Sequence, residues 1–456
     1  MEERNETKEL QSARRSRKRN GRKSLLPLVL LFALVAVILG LWYRQFGPSR
    51  TRISENSLFG VQGDEVAVLY NYELQSDKAV LQNGSVYLPL TLVKREMNQR
   101  FYWDKDEKCL VYAAPGGVRT FTAEEVDTEG KPLFFVKDQA LYLSLPLLRE
   151  FTNVRTEAYT DGEVKRLFVE TAPESDEVRA TKHKTVLRSR PSVRGSIVTV
   201  AAKAEALRVI PDHADAKTDT ARWVRVKTDS GFTGYVQQRS LQAAETVPYQ
   251  NSFAAQDYGT LSLGGKVLLG FHLVSNQAAN QGLSTLAGNA SGMNVIVPTW
   301  FSLRGNEGDY QSYADRAYVE AAHEKGLKVF ALLDNFDKSV TTGELLKKTS
   351  VRKKLIDSLM ADADLYGFDG INVDLELIKQ EAIDQYLEFI RELSVACHAK
   401  QLYLTVDVPN PAKFNAYYDR KELAVFCDYI INMGYDEHTN GEIGRASCRE
   451  RVCLYV

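Results

Sequence analysis

Along the 456-residue chain the apolar positions change rhythm from segment to segment. From Leu25 to Tyr43 they are nearly unbroken, LLPLVLLFALVAVILGLWY. From Val66 to Thr171 they alternate with polar residues between turn signals, the period-two pattern of half-buried strands. Alternation continues from Lys182 to Leu241 in shorter runs, VLRSRPSVRGSIVTV and RWVRVKTDSGFTGYVQQRSL. Glycines there fall where a small barrel must turn tightly. From Lys266 the pattern becomes strand then helix, repeated. VLLGFHLV, NVIVPTW, KVFALLD, GINVDLEL, LYLTVDV and YIINMGY are short, apolar and rich in β-branched residues. Helical stretches such as YADRAYVEAAHEKG and VRKKLIDSLMADADLYG lie between them. Continuous apolar strands between helices predict a parallel sheet covered on both faces. Serial βα units without a Gly-rich nucleotide fingerprint predict a (β/α)8 barrel rather than a doubly wound sheet.

The predicted fold is therefore multidomain. A basic tail (1–24) leads to a transmembrane helix (25–43) and a linker (44–65). An α+β repeat stalk (66–176), a small all-β barrel (177–245) and a second linker (246–262) follow. An incomplete α/β TIM barrel (263–442), about six of eight strands, ends in a tail of different character (443–456). The apolar run, at about 1.5 Å rise per residue, nearly crosses a bilayer core. Arg14, Arg15, Arg17, Lys18, Arg19, Arg22 and Lys23 precede it without an acid among them. That asymmetry predicts a single-pass protein of the cell membrane, N-terminus cytoplasmic and everything after Arg44 outside. Trp42-Tyr43-Arg44 at its end reads as an interfacial anchor without a small-residue cleavage site, so the helix is expected to stay attached.

Composition changes this picture little. The chain is 44% hydrophobic and 26% charged with net charge −1, which fits ordinary globular domains. The basic block beside an apolar run is read as topogenic, so no nucleic acid partner is expected. Cys109, Cys397, Cys427, Cys448 and Cys453 have neither metal-ligand nor disulfide-framework spacing, and the histidines form no H-E-x-x-H. No metal and no cofactor are expected.

Candidate chemistry is concentrated in Phe368-Asp369-Gly370-Ile371-Asn372-Val373-Asp374-Leu375-Glu376. Side chains alternate along a strand, so Asn372, Asp374 and Glu376 share the inward face and Ile371, Val373 and Leu375 face the helices. Glu376 then sits at the carboxyl end of the strand, where barrel active sites form. Inward carboxylates about 7 Å apart repel one another and are costly to desolvate, which raises one pKa. A glutamic acid so held can remain protonated near neutral pH and serve as a general acid. A lone D-x-E would be read as an ion pair. On the fourth strand, with motifs on other strands matching too, it is read as catalytic.

The strand-four segment resembles the D-G-x-D-x-D-x-E signature of glycoside hydrolase family 18. Asp369, Gly370, Asp374 and Glu376 match it, and Asn372 stands where the pattern has an aspartate, as in the family's spore-cortex-lytic branch. Met433-Gly434-Tyr435-Asp436 resembles the family's M-x-Y-D. PTWFSL (298–303) and Asp334-Asn335 are similar to the same branch. The resemblance implies retaining, substrate-assisted hydrolysis of β-N-acetylglucosaminyl bonds in peptidoglycan or a related polymer. It implies Glu376 as acid and base, Asp374 as the group orienting the substrate's 2-acetamido function, and Tyr435 as a hydrogen-bond donor to it. Asp369, Asn372, Met433, Asp436 and Asn335 would bind substrate or support the site. Trp300 is left open between stacking on a sugar and lying buried. A chitinase or chitooligosaccharide hydrolase, and a non-catalytic glycan-binding wall protein, are the alternatives, and the presence of Glu376 weighs against the latter.

Two further resemblances concern the other segments. Tyr87-Leu88-Pro89-Leu90 and Tyr142-Leu143-Ser144-Leu145 head two copies of a strand, helix, strand, acidic turn, strand unit similar to the copper amine oxidase N-terminal-like domain. Leu187, Arg190-Pro191-Ser192, Trp223-Val224 and Gly231-Phe232-Thr233-Gly234-Tyr235-Val236 resemble a bacterial SH3 domain, which implies a wall-binding module. The final IGRASCRERVCLYV resembles a translated sequencing adapter and is expected to be foreign to the protein. The outer edge of strand six is then expected to be unpaired.

Overall fold

The computed structural model describes residues 26–211, 222–289, 291–434 and 453–455. They fall into two compact units.

The first unit holds residues up to 61, 161–168 and 173–250. Its helix Leu26–Phe46 is long and apolar enough to cross a membrane, and runs three residues beyond the expected end. Its sheet has seven strands in the order 197–201, 185–188, 233–237, 223–228, 206–209, 175–180, 245–248, paired antiparallel throughout. Alternation places Leu187, Leu207, Val226, Val236 and Leu241 in one core. Gly234 packs where a Cβ would lie 3.1 Å from both the Arg188 carbonyl and the Leu187 side chain, so this strand crossing admits only glycine without repacking.

The second unit begins with the repeat module. Its two copies meet directly: Tyr87, Leu88 and Pro89 pair antiparallel with Ser144, Leu143 and Tyr142. Each of these strands runs into a short helix, Leu90–Glu96 or Leu145–Phe151. The internal repeat of the sequence is thus a repeat of structure.

The rest of this unit is a curled parallel sheet. Its strands are β1 (Leu269–His272), β2 (Val295–Pro298), β3 (Lys328–Asp334), β4 (Gly370–Asp374), β5 (Tyr403–Pro409) and β6 (Tyr429–Met433), neighbours in that order. Every successive pair is parallel. The intervening helices are α1 (Leu283–Asn289), α2 (Arg316–Glu324), α3 (Thr349–Tyr366), α4 (Ile383–Ala399) and α5 (Arg420–Phe426). A hairpin, Phe301–Arg304 with Asp309–Ser312, branches from the end of β2. The six strands of the expected barrel are therefore present with these helices, and the short helix Thr342–Leu346, between them. Cys453–Tyr455 pairs antiparallel with β6, so the outer edge of that strand is covered, contrary to expectation.

The period-two pattern sorts the core into two layers. Val295, Val297, Phe330 and Leu332 pack inside the curl. Ile371, Val373, Leu404 and Val406 pack outward with helix residues such as Leu355, Leu359, Phe389 and Leu393. Burying each of these side chains contributes roughly 1.5–3 kcal/mol, which fixes the register that aims the polar residues of β4 inward.

The repeat module is bonded into the barrel. α3 starts after Lys348, whose side chain offers no cap. Asp104 supplies one from the repeat module: its carboxylate accepts from the Thr349 N–H at 2.7 Å and the Thr349 hydroxyl at 2.8 Å. Arg352, in the first turn of α3, is fully buried between Glu392 (2.8 Å) and the Tyr102 ring (4.5 Å). Glu422 of α5 is gripped by Arg391 at 2.8 Å and by Arg100 of the repeat module at 2.9 Å.

Candidate active site

β4 lies between β3 and β5 with no room to spare. A Cβ on Gly370 would come within 2.6 Å of the Tyr403 carbonyl oxygen and 2.8 Å of the Phe330 ring. The glycine of the motif is therefore a packing requirement, and it sets the register of everything after it. Asp334 pairs with Asp374, and Val373 with Val406, which brings Asp374 and Asp407 side by side. Three neighbouring strands thus carry an aspartate at one level near their carboxyl ends. Asn372, one layer deeper and fully buried, donates from Nδ2 to Thr405 Oγ1 (2.9 Å) and to Asp407 Oδ1 (3.1 Å).

Glu376 lies just past the end of β4 and is held through its backbone. Asn335 Oδ1 accepts from the Glu376 N–H at 3.0 Å, and Asn335 Nδ2 donates to the Glu376 carbonyl at 2.9 Å and to Thr342 Oγ1 at 2.7 Å. Leu377 follows in a left-handed conformation, φ 54°, with its side chain 91% exposed. That backbone costs roughly 1–2 kcal/mol for a residue with a Cβ. Its neighbours offset the strain, since Ile378 donates to the Tyr418 hydroxyl (3.1 Å) and accepts from the Tyr417 hydroxyl (2.8 Å). A depression of about 560 Å³ opens here, bordered by Asn335, Phe336, Thr342, Glu376 and Leu377.

Charge is concentrated in a small volume. Burial, then the nearby Glu376 and Asp334 carboxylates, push the Asp374 carboxyl up to about 7. The raised carboxyl is thus Asp374, where the motif was read as raising a glutamic acid. Burial and Asp374 likewise push Asp407 well above the usual carboxylate range. Asp334 accepts from Ser302 Oγ (2.9 Å) and the Phe336 N–H (3.1 Å). The arrangement can keep carboxylic acid and carboxylate together at neutral pH, which is what general acid catalysis by one and charge stabilisation by another require.

The structure brings Asn372, Asp374, Glu376 and Asn335 together, with Met433 buried at the end of β6. It corrects Asp369. This residue precedes β4 at the amino end of the strand, opposite the site, where it accepts from Lys328 Nζ (2.7 Å), His323 Nε2 (2.7 Å) and the Val329 N–H (2.9 Å). Burial works to raise its pKa, but these partners outweigh it and hold the carboxyl low. It braces the barrel floor. Trp300 takes the buried alternative: it is fully enclosed, its Nε1 donates to Asn280 Oδ1 at 2.9 Å, and it packs against Tyr318. Tyr435 and Asp436 lie outside the described residues. Sequence reasoning missed Asp407 as a member of the cluster. It also passed over Phe336 and Phe414, exposed aromatics (58% and 82%) on the loops that follow β3 and β5.

Asp104, Glu107 and Cys109 offer ligand atoms within 4.8 Å of one another. The Asp104 carboxylate, however, is occupied in capping α3, and both Glu107 oxygens bond to Ser350. The group is a helix cap.

Residues 272–448 match the family model for glycosyl hydrolases family 18, and residues 184–242 match the model for a bacterial SH3 domain. An uncharacterized glycosylase, YvbX, of Bacillus subtilis (strain 168) is 25% identical over 158 residues, 32% of this chain and 46% of that protein. A probable endochitinase of Caenorhabditis elegans is 36% identical over 95 residues, 19% of this chain and 15% of that protein. The chain thus spans less than half the length of these curated relatives. The solved C-terminal domain of a putative chitinase from Desulfitobacterium hafniense DCB-2 aligns with a TM-score of 0.34 at 19% identity, over 38% of this chain and 56% of that one.

Proposed function

We infer that the protein is a membrane-anchored glycosidase that hydrolyses β-N-acetylglucosaminyl bonds of cell-wall peptidoglycan with retention of configuration. The observation that carries this reading is the convergence of Asp374, Glu376, Asn372 and Asp407 at the carboxyl end of β4, within the stretch matched by the family 18 model. In this reading Glu376 gives its proton to the glycosidic oxygen as the bond to the anomeric carbon breaks. The carbonyl oxygen of the substrate's own 2-acetamido group forms the new bond to that carbon, giving an oxazolinium ion. Asp374, once ionised, accepts from the acetamido N–H and balances the positive charge. Glu376, now a carboxylate, takes a proton from water as it opens the ring. Tyr435 would donate to the acetamido oxygen. Phe336 and Phe414 are suited to stack on sugar faces flanking the cleaved bond.

The SH3-like module supports a wall substrate, and Leu26–Phe46 supports attachment to the membrane with the catalytic part outside. Chitin is the second reading, favoured by the likeness to a probable endochitinase. Purified peptidoglycan and chitin, each digested with the full-length protein and its Glu376→Gln variant, test both. Reducing ends released from peptidoglycan by the wild type alone are expected. Equal release by the variant would remove Glu376 from the mechanism, and release from chitin only would shift the substrate.

A further inference from the structure

The family motif explains Asp374 and Glu376 but leaves Asp407 without a task. This residue is 4% exposed on β5, and the Asn372 amide at 3.1 Å is its one hydrogen-bond partner among the described residues. No cation faces it among the described residues. From β4 it meets Asp374 and Glu376, with Asp334 beyond them on β3. From α4 it meets Tyr386, whose buried hydroxyl has no hydrogen-bond partner among the described residues. Its register neighbour on β6 is the apolar Ile431. A carboxylate supported by one neutral donor does not recover the cost of leaving water. Two buried acceptors close by, Asn372 Oδ1 and Asp374 Oδ1, meanwhile find no donor among the described residues. A proton on Asp407 removes the cost of its charge and gives one of these acceptors, Asp374 Oδ1, a donor, because a carboxylic acid donates as well as accepts.

We propose that Asp407 is the proton-holding partner of Asp374: its neutral carboxyl donates to Asp374 Oδ1 and so orients the Asp374 carboxylate toward the substrate beside Glu376. The Asn372 amide keeps Asp407 in place from the layer below. When Asp374 ionises, the proton that remains on Asp407 leaves the pair with a single negative charge, which matches the single positive charge of the oxazolinium ion. Asp407 acts through Asp374 and is a positioning residue. This role rests on the reading of Asp374 and Glu376 given above. Burial and Asp374 push Asp407 in the direction this requires.

The test compares wild type, Asp407→Asn and Asp407→Ala as full-length proteins. The first readout is the 13C carboxyl shift of labelled aspartates titrated by NMR, which needs no turnover. One aspartate still protonated above pH 7 in the wild type and missing from Asp407→Asn is expected. No such signal overturns the proposal. The second readout is the pH profile of kcat/KM. Asp407→Asn keeps a neutral donor beside Asp374, so its acid limb is expected to stay with the wild type's, whereas Asp407→Ala, which has no donor, should move the limb up by about one pH unit. Asp407→Ala should lose a further ~10-fold, the scale of one lost hydrogen bond to a charged group. Thermal melts of both variants separate these effects from misfolding. Coincident profiles for wild type and Asp407→Ala, with Glu376→Gln inactive, overturn this proposal alone. Activity retained in Glu376→Gln overturns the mechanism it builds on, and the NMR result still decides whether Asp407 holds a proton.

Discussion

Replacing Asp374 by Asn should stabilise the folded protein while disabling it. The aspartate titrates at about 7 in the folded state against an ordinary value of 3.8, because burial and the neighbouring Glu376 and Asp334 carboxylates disfavour its charge. A tenfold change in a proton-binding constant corresponds to about 1.4 kcal/mol, so ionising this group costs the folded state on the order of 4 kcal/mol, an upper figure for a partly solvated side chain. The sign follows from proton counts. Between the two pKa values the folded state binds more protons than the unfolded one, so stability falls as pH rises through that window. Below it both states are protonated and the cost vanishes. An amide of the same shape never ionises. Urea unfolding at pH 4 and pH 8 should therefore give near-equal stabilities at the lower pH, and an advantage for Asp374→Asn approaching ~4 kcal/mol at the higher one. Hydrolysis by the variant should fall by about 10²-fold or more, as when a charge-stabilising group is lost. A stability difference that is the same at both pH values would refute the reasoning.

Asn335→Ala removes both hydrogen bonds that fix the Glu376 backbone before the strained Leu377, about 2 kcal/mol in all. It should lower kcat by about 30-fold with little change in KM, read from steady-state kinetics on a soluble N-acetylglucosamine oligomer. Arg352→Ala leaves Glu392 buried without its bidentate partner, and equilibrium unfolding should record a loss of about 3–5 kcal/mol. His398 is raised by its hydrogen bond to Asp428, against the opposing effect of burial. The stability it contributes is complete below its ordinary value of 6.5 and is lost as pH rises through the raised value, so the gap between wild type and His398→Gln in thermal melts should close on the alkaline side.

The sequence made β4 legible because two periodicities coincide there. Ile371 and Val373 had to face helices, which left Asn372 and Asp374 no face but the inner one. The same reasoning misplaced Asp369. Adjacency in a motif does not say which end of a strand a residue occupies, and the hydrogen bonds from Lys328 and Val329 put this one on the barrel floor. Asp407 was invisible because LYLTVDV reads as an ordinary buried strand. Its meaning comes from register with β4, a long-range pairing that no local pattern encodes. Trp300 was ambiguous for a related reason, since its enclosure depends on Asn280 and Tyr318 rather than on its own strand. The internal repeat was legible, but its bonding to the barrel was not. The caps and ion pairs at Asp104 and Arg100 join residues more than 200 positions apart.

Those caps and ion pairs make the repeat module structurally inseparable from the barrel. A version of the protein trimmed to begin after the SH3-like module would retain every motif of the barrel. It would still expose the first turn of α3, leave the Arg352 guanidinium without its aromatic lid, and strip Glu422 of one of its two arginines. What looks along the chain like a spacer ahead of the barrel is, in three dimensions, one of the barrel's walls. A transplant of this barrel into another protein would have to carry the upstream repeats along.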